Sequence, residues 1–241
     1  MILGTTVRRI TPSRLREPVL VSLTFDDGTA DHVAAGRLLG AVGLAATFFV
    51  NSNLVGTGPD RLGWEDVAEL ARDGHEIGGH TCDHVDLVAA SDAQARMQIE
   101  DDRRDLVARG YEVRSFAYPY GSIGDTARTL AAEAGYTCAR RAWGLAGGRE
   151  TSSAATESVP PLDRYAIRTV PSLERGVTQG ELRDLVTRAE REGGWLPIVF
   201  HGISGRGPYD IAEAVFRDFV TWLAGRRGVS VRLVGDVAAR G

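Results

Sequence analysis

The sequence predicts an α/β barrel, closed or nearly closed, of seven to eight parallel strands. Three observations lead there. Short β-rich apolar runs alternate with amphipathic helical stretches along the chain, and such alternation implies a parallel sheet joined by crossover helices. The number of runs is about what barrel closure needs. The polar residues of chemical interest fall at C-terminal strand ends, the rim where barrels of this kind carry their chemistry.

Taken in order, the predicted strands are Val19 to Phe25, Ala45 to Val50, His75 to Gly78, Ser115 to Tyr118, Tyr136 to Arg140, Tyr165 to Thr169, Trp195 to Phe200 and Val229 to Leu233. Each is rich in β-branched, aromatic or other apolar residues, and most are bounded by turn formers. Helices are predicted over 31–42, 64–73, 91–109, 124–134, 178–192 and 210–225. Ser91 to Gln94 and Thr178 to Glu181 are capping boxes, in which a hydroxyl and a later side chain satisfy each other's orphan N–H groups. Gly43, Gly74, Gly110 and Gly135 stand where helices stop. Two long connections lie on the rim. One runs from Asn51 to Gly63; the other, from Ala142 to Asp163, contains Gly147-Gly148, Thr151 to Ser153 and Pro160-Pro161. The second exceeds ordinary loop length and is expected to form a lid or wall on the substrate side rather than a linker. With no linker in sight, residues 1–18 are expected to be an N-terminal extension and 19–241 a single domain.

Composition excludes several classes. At 241 residues and 43% hydrophobic content the chain can bury a full core. A formal charge of −4, with no basic stripe, argues against a nucleic-acid partner. All 28 basic residues are arginine, so lysine nucleophiles and Schiff bases are excluded. Two cysteines, Cys82 and Cys138, do not make a disulfide framework. No apolar run approaches a membrane span, and the first residues lack the apolar stretch of a signal peptide. The chain as written is therefore expected to be cytoplasmic, although a secreted chain shorn of its signal would read the same way.

The chemistry centres on Asp26-Asp27, two adjacent carboxylates at the end of the first strand. Side by side they raise each other's pKa unless something positive absorbs one of them, and a metal ion would do so. His80 and His84, four positions apart, are suitable partners. One carboxylate and two imidazoles leave coordination positions open for water or substrate, the pattern of a catalytic site. Charge logic leaves open which aspartate binds the ion and which acts as base. The bland alternative, a turn after a strand, weakens once the histidine pair is counted. His201 ends a buried strand and is either a hydrogen-bonded structural residue or, facing a metal, an acid for a leaving group. Tyr120, in the tight Ser115 to Gly121 segment, has an N–H that could face an oxyanion, while the tyrosines there could equally pack the barrel mouth. Cys82, between the two histidines, reads as a spectator, and structural or surface roles suit His32 and His75.

Thr24-Phe-Asp-Asp-Gly28, Gly74 to His84, Phe116-Ala-Tyr-Pro-Tyr-Gly121 and Ile198-Val-Phe-His201 resemble, in order and spacing, the motifs of the polysaccharide deacetylases, carbohydrate esterase family 4 with the NodB homology domain. The resemblance spans Val19 to the last strand. It implies an irregular (β/α) barrel and a divalent metal, zinc first, with cobalt, nickel or manganese as alternatives. It further implies Asp27, His80 and His84 as metal ligands, Asp26 as general base, His201 as general acid and the Tyr120 N–H as oxyanion donor. The implied reaction is removal of an N-acetyl group from an amino sugar, as polymer or oligomer, by attack of metal-activated water. Tyr118, Pro119, Trp143 and Trp64 are expected to contact substrate. The family's third motif carries an arginine where this chain has Ala117, and its Asp-Trp fourth motif has no counterpart here. Arg168, near a strand end, is expected to take the arginine's place and hold Asp26 ionised. Two other readings are kept: a deacylase, deformylase or amidase for a small or nucleotide-linked N-acyl metabolite, and an inactive carbohydrate-binding domain with Trp64 and Trp143 as stacking platforms.

Overall fold

The computed structural model describes residues 17–145 and 154–240. Gly147-Gly148, Thr151 to Ser153 and all but the last two residues of the expected N-terminal extension lie outside the described residues. The elements run β1 (Val19–Phe25), α1 (His32–Ala41), β2 (Thr47–Val50), α2 (Trp64–Arg72), β3 (Glu76–Gly79), α3 (Asp92–Ala108), β4 (Ser115–Ala117), a 3-10 turn (Pro119–Gly121), α4 (Asp125–Glu133), β5 (Cys138–Gly144), β6 (Ile167–Thr169), α5 (Gln179–Glu192), β7 (Trp195–Phe200), α6 (Glu213–Ala224), β8 (Val229–Val231) and α7 (Val234–Ala238). All eight predicted strands and six predicted helices are present. The short α7 was not anticipated, because five residues carry too little periodicity to announce a helix.

The sheet is parallel throughout, in the order β6-β5-β4-β3-β2-β1-β7, with β8 also pairing to β1. One edge of β1 takes β7 from Leu20 to Phe25, while β8 pairs with Val19 to Val21 and β2 with Thr24 and Phe25. Between β6 and β7 no ladder forms. There the chain after β6 bonds to β7 directly, Val170 N to Pro197 O at 3.2 Å and Leu173 N to Val199 O at 3.1 Å. The result is a barrel with one irregular seam.

Apolar residues sort into two clusters. The larger joins Val21, Leu23 and Phe25 of β1 to the surrounding helices, with Phe25 stacked against Phe48 at 4.8 Å and Phe200 at 5.1 Å between ring centroids. Rings buried in this way contribute about 1.5–3 kcal/mol each. The smaller cluster contains Leu20, Phe49, Ala117, Cys138, Ile167 and Trp195, capped by Val234, Val237 and Ala238 of α7. Strand alternation assigns it to the barrel interior. The paired glycines of β3 fit this geometry. A Cβ at Gly78 would meet the Phe49 ring at 2.5 Å, and one at Gly79 would meet the Tyr136 hydroxyl at 2.0 Å. Of the two predicted capping boxes, Thr178 and Glu181 bond reciprocally, whereas at Ser91 only one half forms, Oγ accepting from Gln94 N. No helix among the described residues is long and apolar enough to cross a membrane.

Candidate metal-dependent active site

The rim residues sit where strands stop and the chain must turn. Asp26 and Asp27 follow β1, His80 follows β3, Tyr120 follows β4 and His201 follows β7. Four non-glycine residues among those described have positive φ: Asp27 at 75°, Thr81 at 67°, His84 at 57° and Tyr120 at 58°. Each such conformation costs about 1–3 kcal/mol and persists where the surroundings enforce it. All four fall in this one region, and Asp27, His84 and Tyr120 line a single cavity.

Asp27 Oδ1 lies 3.3 Å from His80 Nε2 and 3.1 Å from His84 Nε2. One donor atom from each of the three residues falls within 4.8 Å of the others. Nδ1 of His80 is 2.7 Å from the Ala117 carbonyl, which only accepts, so in the neutral ring Nδ1 carries the proton. Nε2 then presents a lone pair toward a carboxylate oxygen, and Asp27 Oδ1 is buried without a hydrogen-bond partner among the described residues. Lone pairs facing one another in this way need a cation between them. A divalent metal fits this donor set, and one carboxylate with two imidazoles suits zinc chemistry. The His80 backbone is fixed in turn: its N–H donates to Asp102 Oδ2 at 3.0 Å, and Asp102 Oδ1 accepts from Ser52 N at 3.0 Å.

Asp26 is 3% exposed. Burial pushes its carboxyl up, but the Arg140 guanidinium bonded to its Oδ1, with His80 and His201 nearby, holds it below the usual carboxylate range. Arg140 is fully buried on β5, its guanidinium 4.5 Å from the centroid of the Phe49 ring. This corrects the expectation for Arg168. Arg168 bonds Glu157 instead, through Nε at 2.9 Å and Nη2 at 2.8 Å, because its place on β6 turns it toward the segment beside the start of β7. The sequence did hold a clue to Arg140. An arginine inside a short apolar strand has to be paired when buried.

The cavity, about 510 Å³, is lined by Asp26, Asp27, His80, His84 and His201 together with Tyr120, Trp143, Glu174 and Tyr209, among others. Its volume lies in the range of ligand sites. Trp143 stands at the wall. The other three expected substrate contacts do not line it. Trp64 opens α2 and is covered by the Arg109 guanidinium at 3.5 Å; Tyr118 is buried with its hydroxyl donating to Tyr165 O at 2.9 Å; Pro119 is buried in the 3-10 turn. Glu174 and Tyr209, not anticipated, arrive from the chain after β6 and the loop after β7, and sequence separation hides such convergence. His32 and His75 are buried structural residues, His32 near the His201 carbonyl and His75 accepting from Ala46 N at 3.1 Å.

Residues 15–139 match the polysaccharide deacetylase family. The chain is 30% identical over 126 residues to a peptidoglycan-N-acetylglucosamine deacetylase of Bacillus cereus, covering 52% of this chain and 57% of that one. It is 31% identical over 121 residues to a chitin deacetylase of Arthroderma benhamiae, covering 48% and 32% respectively. The matches thus span little more than half of the first relative and a third of the second. Among solved structures, a family 4 carbohydrate esterase from Streptomyces lividans in complex with acetate superposes with a TM-score of 0.59 at 18% identity, covering 88% of this chain and 91% of that one. At that identity the likeness concerns the fold. Arg140, Trp143 and His201 all lie beyond the residues 15–139 matched to the family.

Proposed function

Because the chain belongs to the polysaccharide deacetylase family, we propose that it hydrolyses the N-acetyl amide of an N-acetylated amino sugar, releasing acetate and a free amine. One observation carries this reading: Asp26, held ionised by Arg140, stands beside the Asp27, His80 and His84 donors in a cavity that also holds His201. Asp27, His80 and His84 would hold a divalent cation, zinc by preference, which would supply Lewis acidity at the acetyl carbonyl.

The remaining steps belong to the chain. Asp26 accepts the proton of the attacking water as its oxygen bonds to the carbonyl carbon. The Tyr120 N–H, presented by its left-handed backbone, donates to the developing oxyanion. His201 protonates the nitrogen as the C–N bond breaks, because an unprotonated amine leaves poorly. Trp143, Tyr120 and Tyr209 offer apolar faces to a sugar ring. The names of the relatives above, one acting on peptidoglycan N-acetylglucosamine and one on chitin, support an amino-sugar substrate.

The test is acetate release from chitin oligomers and peptidoglycan, set against small N-acyl metabolites, with zinc-loaded and chelator-treated protein. Acetate from the glycans, lost on chelation and restored by zinc, is the expected result. Turnover confined to small metabolites, or undiminished without metal, overturns the reading.

A further inference from the structure

We propose that Asp31 and His32, at the start of α1, form the device that positions His201 for proton delivery. The proposal rests on the reading of His201 as general acid. An imidazole that shuttles protons is commonly fixed through its second ring nitrogen. Here Nδ1 of His201 is buried without a hydrogen-bond partner among the described residues. The ring is not anchored from behind; the backbone that carries it is.

Three contacts do this. His32 Nε2 lies 2.5 Å from the His201 carbonyl oxygen, and since a carbonyl only accepts, Nε2 holds the proton. Asp31 Oδ2 accepts from Ile203 N at 2.7 Å and from Ser204 N at 2.8 Å. Two adjacent side chains therefore tie down the backbone from residue 201 to residue 204. Neither is a surface accident. Asp31 occupies the N-cap position of α1 yet makes no side-chain bond to its own helix, so its carboxylate is given to the loop after β7. The Thr29 hydroxyl donates to its other oxygen at 2.6 Å. His32 is fully buried, with the Phe25 and Phe48 rings 5.3 and 5.4 Å away, and burial keeps its pKa low and the ring a neutral donor.

Gly202 completes the arrangement. A Cβ there would lie 2.9 Å from Asp31 Oδ2 and 2.5 Å from Asp210 Oδ1, so only glycine lets both carboxylates close on this loop. Ile211 N returns to Gly202 O at 3.0 Å, and the loop so closed sets the Tyr209 ring 5.3 Å from the His201 ring. Asp31 and His32 are positioning residues. They belong neither to the cavity lining nor to the set of metal donors, and they act through the His201 backbone.

The leaving group supplies a test that a merely structural role would not move. An amide nitrogen must be protonated to depart, whereas the phenolate of an aryl ester leaves unprotonated. Loss of acid positioning should depress N-acetyl hydrolysis far more than aryl-ester hydrolysis. The experiment measures kcat on an N-acetylglucosamine pentamer and on 4-nitrophenyl acetate for the zinc-loaded wild type, Asp31→Ala, His32→Leu, His32→Gln and, as benchmark, His201→Ala. The amide-to-ester ratio should fall about tenfold or more in Asp31→Ala and His32→Leu, toward that of His201→Ala, within the range of general acid catalysis. His32→Gln keeps an N–H for the carbonyl and should recover most of the ratio. Parallel loss of both activities, or an unchanged ratio, overturns the proposal. If His32→Leu shows no cooperative melting transition, Asp31→Ala decides the matter alone. Failure of the deacetylase reading looks different: the wild type would cleave the aryl ester and leave the pentamer intact.

Discussion

At Asp26 two opposing effects meet, and Arg140 decides the outcome. Burial favours the neutral acid and the buried guanidinium favours the carboxylate; the net effect is a pKa below the ordinary value. A base acts only when ionised, so a depressed pKa preserves activity as the pH falls. Arg140→Met should therefore move the acid limb of the kcat/KM profile to higher pH, with activity lost first on the acid side. Arg168→Met should leave that limb in place and instead lower the melting temperature, at a cost of up to about 3 kcal/mol, because the buried Glu157 loses its partner. Reversed outcomes would return the role to Arg168. The thiols make a simpler case. Cys82 and Cys138 are free, buried and pushed up to about 12 by burial. Neither should react with iodoacetamide in native protein at pH 8, while both should after unfolding; mass spectrometry reads the difference.

At the scale of elements, the site depends on ties between strand ends. Asp102, on α3, joins the end of β2 to the end of β3 by accepting from Ser52 N and His80 N. Asp102→Ala leaves two buried N–H groups unpaired, each costing about 1–3 kcal/mol. A lower melting temperature is expected, together with weaker zinc binding in chelator competition, since His80 loses its backbone anchor. Asp102→Asn, which keeps one accepting oxygen, should fall between the two. A variant as stable and as metal-avid as the wild type would show that β3 holds His80 unaided. The gap between β6 and β7 is a second element-level feature. Direct bonds from Val170 and Leu173 carry the chain after β6 along β7, and with it Glu174 enters the cavity wall.

Taken as a whole, the molecule is a barrel whose strained rim gathers a set of donors suited to a cation. Asp27, His80 and His84 converge on one point, so a metal that binds only the folded chain stabilises it by mass action, about 2.7 kcal/mol at one hundred times its dissociation constant. Chelation should lower the melting temperature, and zinc should restore it in proportion to the logarithm of its free concentration. The strands and six of the helices were legible in the sequence, since β-rich runs, periodic helices and caps are local properties. So was the grouping of Asp27, His80 and His84, because they come from two short motifs at strand ends. Arg140 was not, and neither were Tyr209, Glu174 or the Asp31 and His32 clamp. Trp64 was misplaced for the same reason. By itself the sequence determined the barrel and the face on which its candidate site lies, because strand ends of a parallel barrel must share one face. Only the tertiary structure decided which arginine meets Asp26 and what holds the His201 backbone, because those contacts join residues more than a hundred positions apart, and an arginine inside a strand does not by itself say which carboxylate it meets.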